Sequence, residues 1–486
     1  MKIHIVGIGG IAMGNFAKML KDSGHEVSGS DSQLYPPMSL QLATWGFRVE
    51  NFSKDNIINP NGEPKHDLYI VGNVISRGNV EVEVILNYNL PLMSMSEALY
   101  QFFLKNKKVI VIAGTHGKTT TTFLLHSILE KSGLDSGLFS GGIRLDGHAG
   151  FKIGKGDYFV IEGDEYDTSF FDKKPKFLHY RPYYLILTSI EYDHADIYKN
   201  MEEYINSFKL LLRWIPQQGK IVANYDDLNI RTILEKLENV IYYSSNTEQE
   251  KKENYKEIYK FSILDKSLIL PVGKVVPKIF GMHNYSNILA ASLLAQEIGI
   301  DSQSIIEAIN EFPGVMRRQQ LRKKIRFDEM SIEFYEDFAH HPTAVFETIK
   351  AFKNRFHNSL IIACYEPRSA TSHRKIFQKE YPKSFLLAKA VYITEIYNPS
   401  KVEPEEQLNV KKLIEDIKIF NSKAFYCQTP KEVFEKLKKH FLDYCVIAKK
   451  NQYDTIIILC MSNGSFGNIY SDIENWMDRL ASIDQH

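Results

Sequence analysis

The chain has 486 residues, of which 44% are apolar and 24% charged, and Lys+Arg and Asp+Glu each total 59. That length exceeds what one hydrophobic core usually serves and suggests about three domains of roughly 150 residues each. The composition excludes a disordered or membrane-embedded chain, and the zero formal net charge excludes a global attraction to nucleic acid or anionic lipid, so any phosphate binding must be local.

The N-terminus runs directly into Ile3-His4-Ile5-Val6-Gly7 without a secretory h-region, and no apolar run reaches the length of a membrane span, so a cytoplasmic protein is expected. Short apolar runs at 3–6, 68–71, 109–113, 158–161, 185–187, 360–363 and 455–459 alternate with helical patterns. Such alternation predicts α/β architecture with parallel sheets and sites at the carboxyl ends of strands. Boundaries are expected at the polar stretch Lys105-Asn106-Lys107-Lys108 and at the turn Phe312-Pro313-Gly314, giving domains 1–106, 107–314 and 315–486.

The first predicted strand opens into Gly7-Ile8-Gly9-Gly10-Ile11-Ala12-Met13-Gly14, and Asp31 follows the next predicted strand, 25–30. Glycines there let backbone amides at a helix start approach a phosphate, with an acid placed where a ribose hydroxyl could bind. The pattern alone fits a dinucleotide cofactor, a diphosphate-linked substrate or a tight βα turn equally well.

A more specific turn follows strand 109–113: Gly114-Thr115-His116-Gly117-Lys118-Thr119-Thr120, leading into an apolar helix expected from about Thr121. This has the form of a P-loop, whose amides cradle phosphates while Lys118 neutralises β/γ charge and the Thr119 hydroxyl reaches Mg²⁺. Full Walker spacing would want glycine at position 112, where Ile112 stands. Two phosphate-binding turns on separate sheets imply two phosphate-bearing ligands and argue against a simple dehydrogenase.

Strand 158–161 ends in Glu162-Gly163-Asp164-Glu165-Tyr166-Asp167, and strand 185–187 leads to Ser189-Ile190-Glu191-Tyr192-Asp193-His194-Ala195-Asp196. Carboxylates at strand ends suit Mg²⁺, and His194 inside an acidic turn is a candidate for metal or phosphate. The polar stretch 245–260 reads as a solvated hairpin or loop. Farther on, an extended segment 331–335 precedes Asp337-Phe338-Ala339-His340-His341-Pro342. Adjacent histidines diverge and no HxxxH or Cys partner is nearby, which favours phosphate or substrate contact over zinc. Cys364, Cys427, Cys445 and Cys460 show no CxxC spacing and read as buried thiols.

In this order GIGGIAMG, GTHGKTTT, IEGDEYDTSFFD, IEYDHADIY, GMHNYSN, Arg317-Arg318 and DFAHHPT resemble the Mur ligase family across essentially the whole chain. The resemblance implies three α/β domains: a Rossmann-like N-terminal domain for a UDP-sugar, a central P-loop ATPase, and a Rossmann-like C-terminal domain for the incoming amine. It also implies an ATP- and Mg²⁺-dependent ligase that activates a carboxylate as an acyl phosphate and captures it with an amine.

Carried over residue by residue, Gly7, Gly9, Gly10 and Asp31 would bind the UDP-sugar. Gly114, Thr115, His116, Gly117, Lys118, Thr119 and Thr120 would bind ATP phosphates, and Thr119, Glu165 and His194 would hold Mg²⁺. Asn284 and Asn287 would lie on the adenine side, and Arg318 would touch the transferring phosphate. Asp337 and His340 would approach ribose and phosphates, and Lys118, His194 and Arg318 would be the catalytic set. Several family members carry a carbamylated lysine near the place of Lys209, which reads here as a plain helix-surface lysine.

Within the family, Ser30-Asp31 with Tyr35-Pro36-Pro37-Met38, the run Asp167-Thr168-Ser169-Phe170-Phe171-Asp172, His179-Tyr180-Arg181-Pro182 and Glu366-Pro367-Arg368-Ser369 resemble one branch. That branch joins UDP-N-acetylmuramate to the murein tripeptide L-alanyl-γ-D-glutamyl-meso-diaminopimelate in peptidoglycan recycling. The branch that adds L-alanine is the alternative. An alternative of another class, suggested by the first glycine turn alone, is a non-catalytic nucleotide-binding or NAD-dependent protein.

Overall fold

A computed structural model describes residues 1–35, 38–246, 257–421 and 423–483. Pro36 and Pro37 of the YPPM run, and 247–256 of the polar stretch, lie outside the described residues.

The first sheet comprises β1 (Lys2–Val6), β2 (Glu26–Ser30), β3 (Val49–Glu50), β4 (Leu68–Val71) and β5 (Leu92–Ser94), all parallel, in the order β3-β2-β1-β4-β5. A second sheet is built from β6 (Lys108–Ala113), β7 (Gly137–Phe139), β8 (Phe151–Lys152), β9 (Tyr158–Gly163), β10 (Tyr184–Leu187), β11 (Lys220–Asn224), β12 (Val240–Ser244) and β13 (Ile258–Lys260). Its order is β13-β12-β11-β10-β6-β9-β7-β8, with only β8 antiparallel. The tail of the polar stretch expected to be a hairpin or loop is thus an edge strand, β13, parallel to β12.

A small antiparallel sheet follows, of β14 (Ser262–Leu264), β15 (Ser267–Leu270) and β16 (Gly273–Val275). The last sheet contains β17 (Gln320–Phe327), β18 (Met330–Asp337), β19 (Ser359–Tyr365), β20 (Ala390–Thr394), β21 (Ala424–Cys427) and β22 (Thr455–Met461), in the order β17-β18-β22-β19-β20-β21. Only β17 is antiparallel.

The central strands are continuous apolar runs because crossover helices cover both faces of a parallel sheet. Val109, Ile110, Val111, Ile112 and Ala113 are each at most 1% exposed, and each larger side chain contributes about 1.5–3 kcal/mol by leaving water. The architecture is α/β, with three largely parallel sheets as the bodies of three domains. By compactness the chain divides into two units. One joins Met1–Tyr192, Asn200–Pro277 and Ser286–Phe312, and holds the first two sheets. The other joins Asp193–Lys199, Lys278–Tyr285 and Pro313–His486, and holds the last.

All four cysteines are buried free thiols in this second unit, and Cys364 lies opposite Cys460 in the β19–β22 register. Among the described residues no helix is long and apolar enough to cross a membrane.

Candidate active site

In the first unit the second glycine turn lies at the carboxyl end of β6 and feeds the helix Lys118–Lys131. That helix begins three residues earlier than the sequence suggested, because Gly117 caps it in the left-handed region at φ 81°. A Cβ on Gly117 would meet Asn287 Oδ1 at 2.5 Å, and one on Gly114 (φ 131°) would meet Thr188 Oγ1 at 2.3 Å, so both positions require glycine.

Lys118 Nζ folds back to donate to Gly114 O at 2.6 Å and to Glu165 Oε1 at 2.8 Å. Burial favours the neutral amine, yet the carboxylates of Glu165, Glu162 and Asp164 outweigh it and raise the pKa, so Lys118 stays protonated. Thr119 Oγ1 donates to Glu162 Oε1 at 2.7 Å, and Ser140 Oγ donates to the other oxygen at 2.5 Å. Tyr204, from the helix Met201–Leu212, places its hydroxyl 3.2 Å from Glu165 Oε1 and 3.1 Å from Thr115 Oγ1. His116 N–H donates to Ser189 Oγ at 3.0 Å, fixing the middle of the loop, while Thr120 is buried in the helix's first turn. Lys209 is exposed on the helix bearing Tyr204.

The first glycine turn is organised differently. Gly7 takes φ 86°, and the amides of Gly7 and Ile8 donate to Ser30 O at 2.8 and 3.1 Å. Gly9 N–H donates to Asp31 Oδ2 at 2.7 Å, and Gly10 caps the helix Ile11–Asp22 from extended backbone. A carboxylate of the chain therefore sits on an amide that could meet a phosphate.

In the second unit Asp193 is buried and accepts the amide of His194 at 2.8 Å and the hydroxyl of Thr371. Burial alone would raise its pKa, but the imidazoles of His340 (Nε2 at 3.9 Å) and His194 hold it well below the usual carboxylate range. His194 takes a left-handed φ of 55°, with its amide 3.0 Å from Thr371 Oγ1. The hydroxyls of Tyr365 and Tyr381 both reach His340 O, at 2.8 and 2.7 Å.

At the end of β18, Asp337 accepts the amides of Gln319 and Ala339, each at 2.8 Å, and Gln319 Oε1 accepts Asn284 Nδ2 at 3.1 Å. Burial pushes the Asp337 carboxyl up against the pull of Arg318. The two arginines have separate tasks. Arg317, at φ 61°, donates to Glu336 Oε1 at 2.9 Å and to the carbonyls of Ser462 and Gly464 at 3.0 and 2.5 Å. Both guanidinium groups lie over the Phe338 ring, Arg317 at 4.9 Å and Arg318 at 4.5 Å, and Arg318 is the one beside Asp337.

Residues 2–107 match the family model described as Mur ligase family, catalytic domain, and residues 112–295 match the Mur ligase middle domain. The UDP-N-acetylmuramate–L-alanyl-γ-D-glutamyl-meso-2,6-diaminoheptandioate ligase of Escherichia coli is 36% identical over 398 residues, covering 81% of this chain and 84% of that protein. The chain belongs to the Mur ligase family. The ligase of the same name from Haemophilus influenzae is 33% identical across 98% of this chain and 99% of its own length. The crystal structure of a murein peptide ligase from Psychrobacter arcticus matches with a TM-score of 0.68 at 28% identity, covering 99% of both chains.

Mur ligases are ATP-dependent enzymes that form amide bonds, so the nicotinamide reading left open at the first glycine turn falls away. In this Mur ligase Gly114, Thr115, His116, Gly117, Lys118, Thr119, Glu165 and Asn287 all gather in the first unit. Asn284, Arg318 and Asp337 share a network in the second, as do His340 and His194 through Asp193. Sequence reasoning passed over Glu162, which takes the Thr119 hydroxyl, and Asp193, which supports His194. Both sit beside residues that were chosen, so proximity in the chain was the available signal.

The donor set fits Mg²⁺: the Thr119 hydroxyl bonded to Glu162, and Glu165 bonded to Lys118, bring one hydroxyl and two carboxylates to the loop.

Proposed function

We propose that this Mur ligase uses ATP to activate the lactyl carboxylate of UDP-N-acetylmuramate and joins it to the α-amine of L-alanyl-γ-D-glutamyl-meso-diaminopimelate. The setting is peptidoglycan recycling in the cytoplasm. The loop in which Lys118 and Thr119 face two carboxylates carries the reading, and the names of relatives matched over most of their length supply the substrates.

Residues 1–106 hold the UDP-sugar, with Gly7, Gly9 and Gly10 presenting amides to its diphosphate and Asp31 beside them. Residues 107–314 bind ATP through the loop 114–120, and residues 315–486 take the peptide. Lys118, protonated by its carboxylate surroundings, offsets charge on the transferring phosphoryl group. Mg²⁺ held by Thr119 and Glu165 would supply further charge neutralisation there. Arg318, carried over from the family motif, is assigned to the transferring phosphate, and Arg317 holds Glu336 and two carbonyls. Asn284 and Asn287 serve the adenine side, and Asp337 and His340 the ribose and phosphates.

Transfer of the γ-phosphoryl group to the carboxylate gives an acyl phosphate and ADP. The peptide amine then attacks the acyl carbon, and inorganic phosphate leaves as the amide forms.

The test is ADP release with UDP-N-acetylmuramate and either the tripeptide or L-alanine. The expected kcat/KM ratio favours the tripeptide by at least about a hundredfold. Preference for L-alanine would reassign the chain to the other branch, and no ADP with either amine would overturn the reading.

A further inference from the structure

The segment His179-Tyr180-Arg181-Pro182 and the nearby Asp172 take no part in the chemistry above, yet the structure gives them a common location. Both approach the short helix Met95–Leu99 of the first domain and the helical turn Tyr100–Leu104 that continues it. That helix opens with a capping box: Glu97 N donates to Ser94 Oγ at 3.3 Å, while Glu97 Oε2 accepts Ser94 N and Oγ at 2.9 and 2.8 Å. One Glu97 oxygen is thereby fixed and the carboxylate is oriented, with Oε1 outside the box.

Across from it, Asp172 Oδ1 accepts the Lys174 amide at 3.1 Å, and Oδ2 lies 2.7 Å from His179 Nε2. That Nε2 is shielded from solvent yet makes no hydrogen bond of acceptable alignment, despite the short distance to the carboxylate. One ligand atom from each of Glu97, Asp172 and His179 lies within 4.8 Å of the other two.

We propose that Glu97, Asp172 and His179 form a binding site for a divalent metal ion of the zinc class, separate from the Mg²⁺ site at the P-loop. Two carboxylates this close repel each other, and a single imidazole cannot neutralise both. A divalent cation does. One nitrogen and two carboxylate oxygens form a donor set that suits Zn²⁺, whereas Mg²⁺ selects oxygen ligands. Three such ligands around zinc stand roughly 3.4 Å apart, with water completing the tetrahedron. The observed separations, 2.7 Å between Asp172 and His179 and at most 4.8 Å for the other pairs, reach that spacing by adjustments of up to about 1.4 Å.

The donors are also mounted on a fixed frame. Arg181, at φ 48°, lies 4.4 Å over the Tyr100 ring and 5.1 Å over Trp214, and its Nη1 donates to Tyr100 OH at 3.0 Å. Tyr100 follows directly on the helix that bears Glu97, so the segment grips one helix end at two points, Arg181 by stacking and His179 through the metal. The ion would fasten the UDP-sugar domain to the ATPase domain without touching either nucleotide loop.

The experiment is equilibrium dialysis of the full-length, chelator-stripped enzyme against Zn²⁺, without nucleotide or Mg²⁺. Wild type, His179→Gln and Asp172→Asn are compared for bound zinc and for the shift in Tm. Wild type is expected to retain one equivalent more than either variant, and only wild type should gain Tm on adding Zn²⁺. Co²⁺ in its place should give visible absorption bands that His179→Gln loses. Equal zinc content in all three proteins would overturn the proposal and leave an Asp172–His179 ion pair only. Should His179→Gln fail to fold, the nearly isosteric Asp172→Asn decides the comparison alone. Ligase activity is not the readout, so failure here leaves the assignment of the reaction untouched.

Discussion

The two glycine turns stand at equivalent places, each after the first strand of a parallel sheet and each opening a helix, yet a carboxylate meets a neutral amide in one and a charged amine in the other. In the first, an amide is met by a carboxylate, Gly9 N–H to Asp31. In the second, a lysine is met by a carboxylate and a carbonyl, Lys118 to Glu165 and Gly114. The first presents neutral dipoles and one acid, enough to seat a diphosphate that does not react. The second presents a full charge already balanced by acids, which suits a group whose charge changes during transfer. On the proposed function, the same local fold would serve holding in one place and chemistry in the other.

The largest expected break in that symmetry is Lys118→Ala, which should lower turnover at least about a thousandfold while UDP-N-acetylmuramate binding, followed calorimetrically, stays within about twofold. Unaltered turnover would remove the second turn from the reaction.

Next come the paired arginines. Arg318→Ala should reduce kcat by about a hundredfold with little change in Tm. Arg317→Ala should instead destabilise the fold by about 1–2 kcal/mol, because it strips Glu336 and two carbonyls of a shared donor. Reversed outcomes would exchange their roles.

A subtler pair is Gly117→Ala and Gly9→Ala. The former places a Cβ against Asn287 in left-handed backbone, and the latter places one 2.7 Å from Asp31 Oδ2 and Leu34 Cδ2. Each should weaken one ligand by about tenfold and spare the other, ATP for Gly117 and UDP-sugar for Gly9. Joint loss of both ligands would mean the turns are not independent.

The smallest effect concerns the scaffolds behind the turns. Burial, with Lys152 and Arg144 adding to it, pushes His126 in the second turn's helix down to about 3. Burial, with His4 adding to it, pushes His66 beside the first sheet down to about 4. Both stay neutral in the folded state while the unfolded chain takes up a proton near pH 6.5. Their contribution is complete above that value and is lost as the pH falls toward 4 and 3, at up to about 1.4 kcal/mol per unit for each group. His126→Gln should flatten the Tm-versus-pH curve between pH 6 and 4.

Strands β1, β4, β6, β9, β10, β19 and β22 were legible because burial on both faces demands an unbroken apolar run. Edge strand β13 was not, since one neighbour suffices to fix its backbone and its Ile-Tyr-Lys sequence follows a polar tract. The P-loop was readable from glycine and lysine spacing. Which acid meets Thr119 was not, because Glu162 lies inside β9 and Glu165 just beyond it, and only the folded chain decides which of the two faces the loop. The arginine pair was equally opaque: a left-handed residue at Arg317 decides which side chain turns inward, and no composition rule foretells it.

The buried cysteines have a practical consequence. Because every thiol of the protein is sequestered in the second unit, a thiol-reactive dye should stay silent on the native enzyme. Under denaturant, its signal would time the opening of that unit alone, without any engineered label.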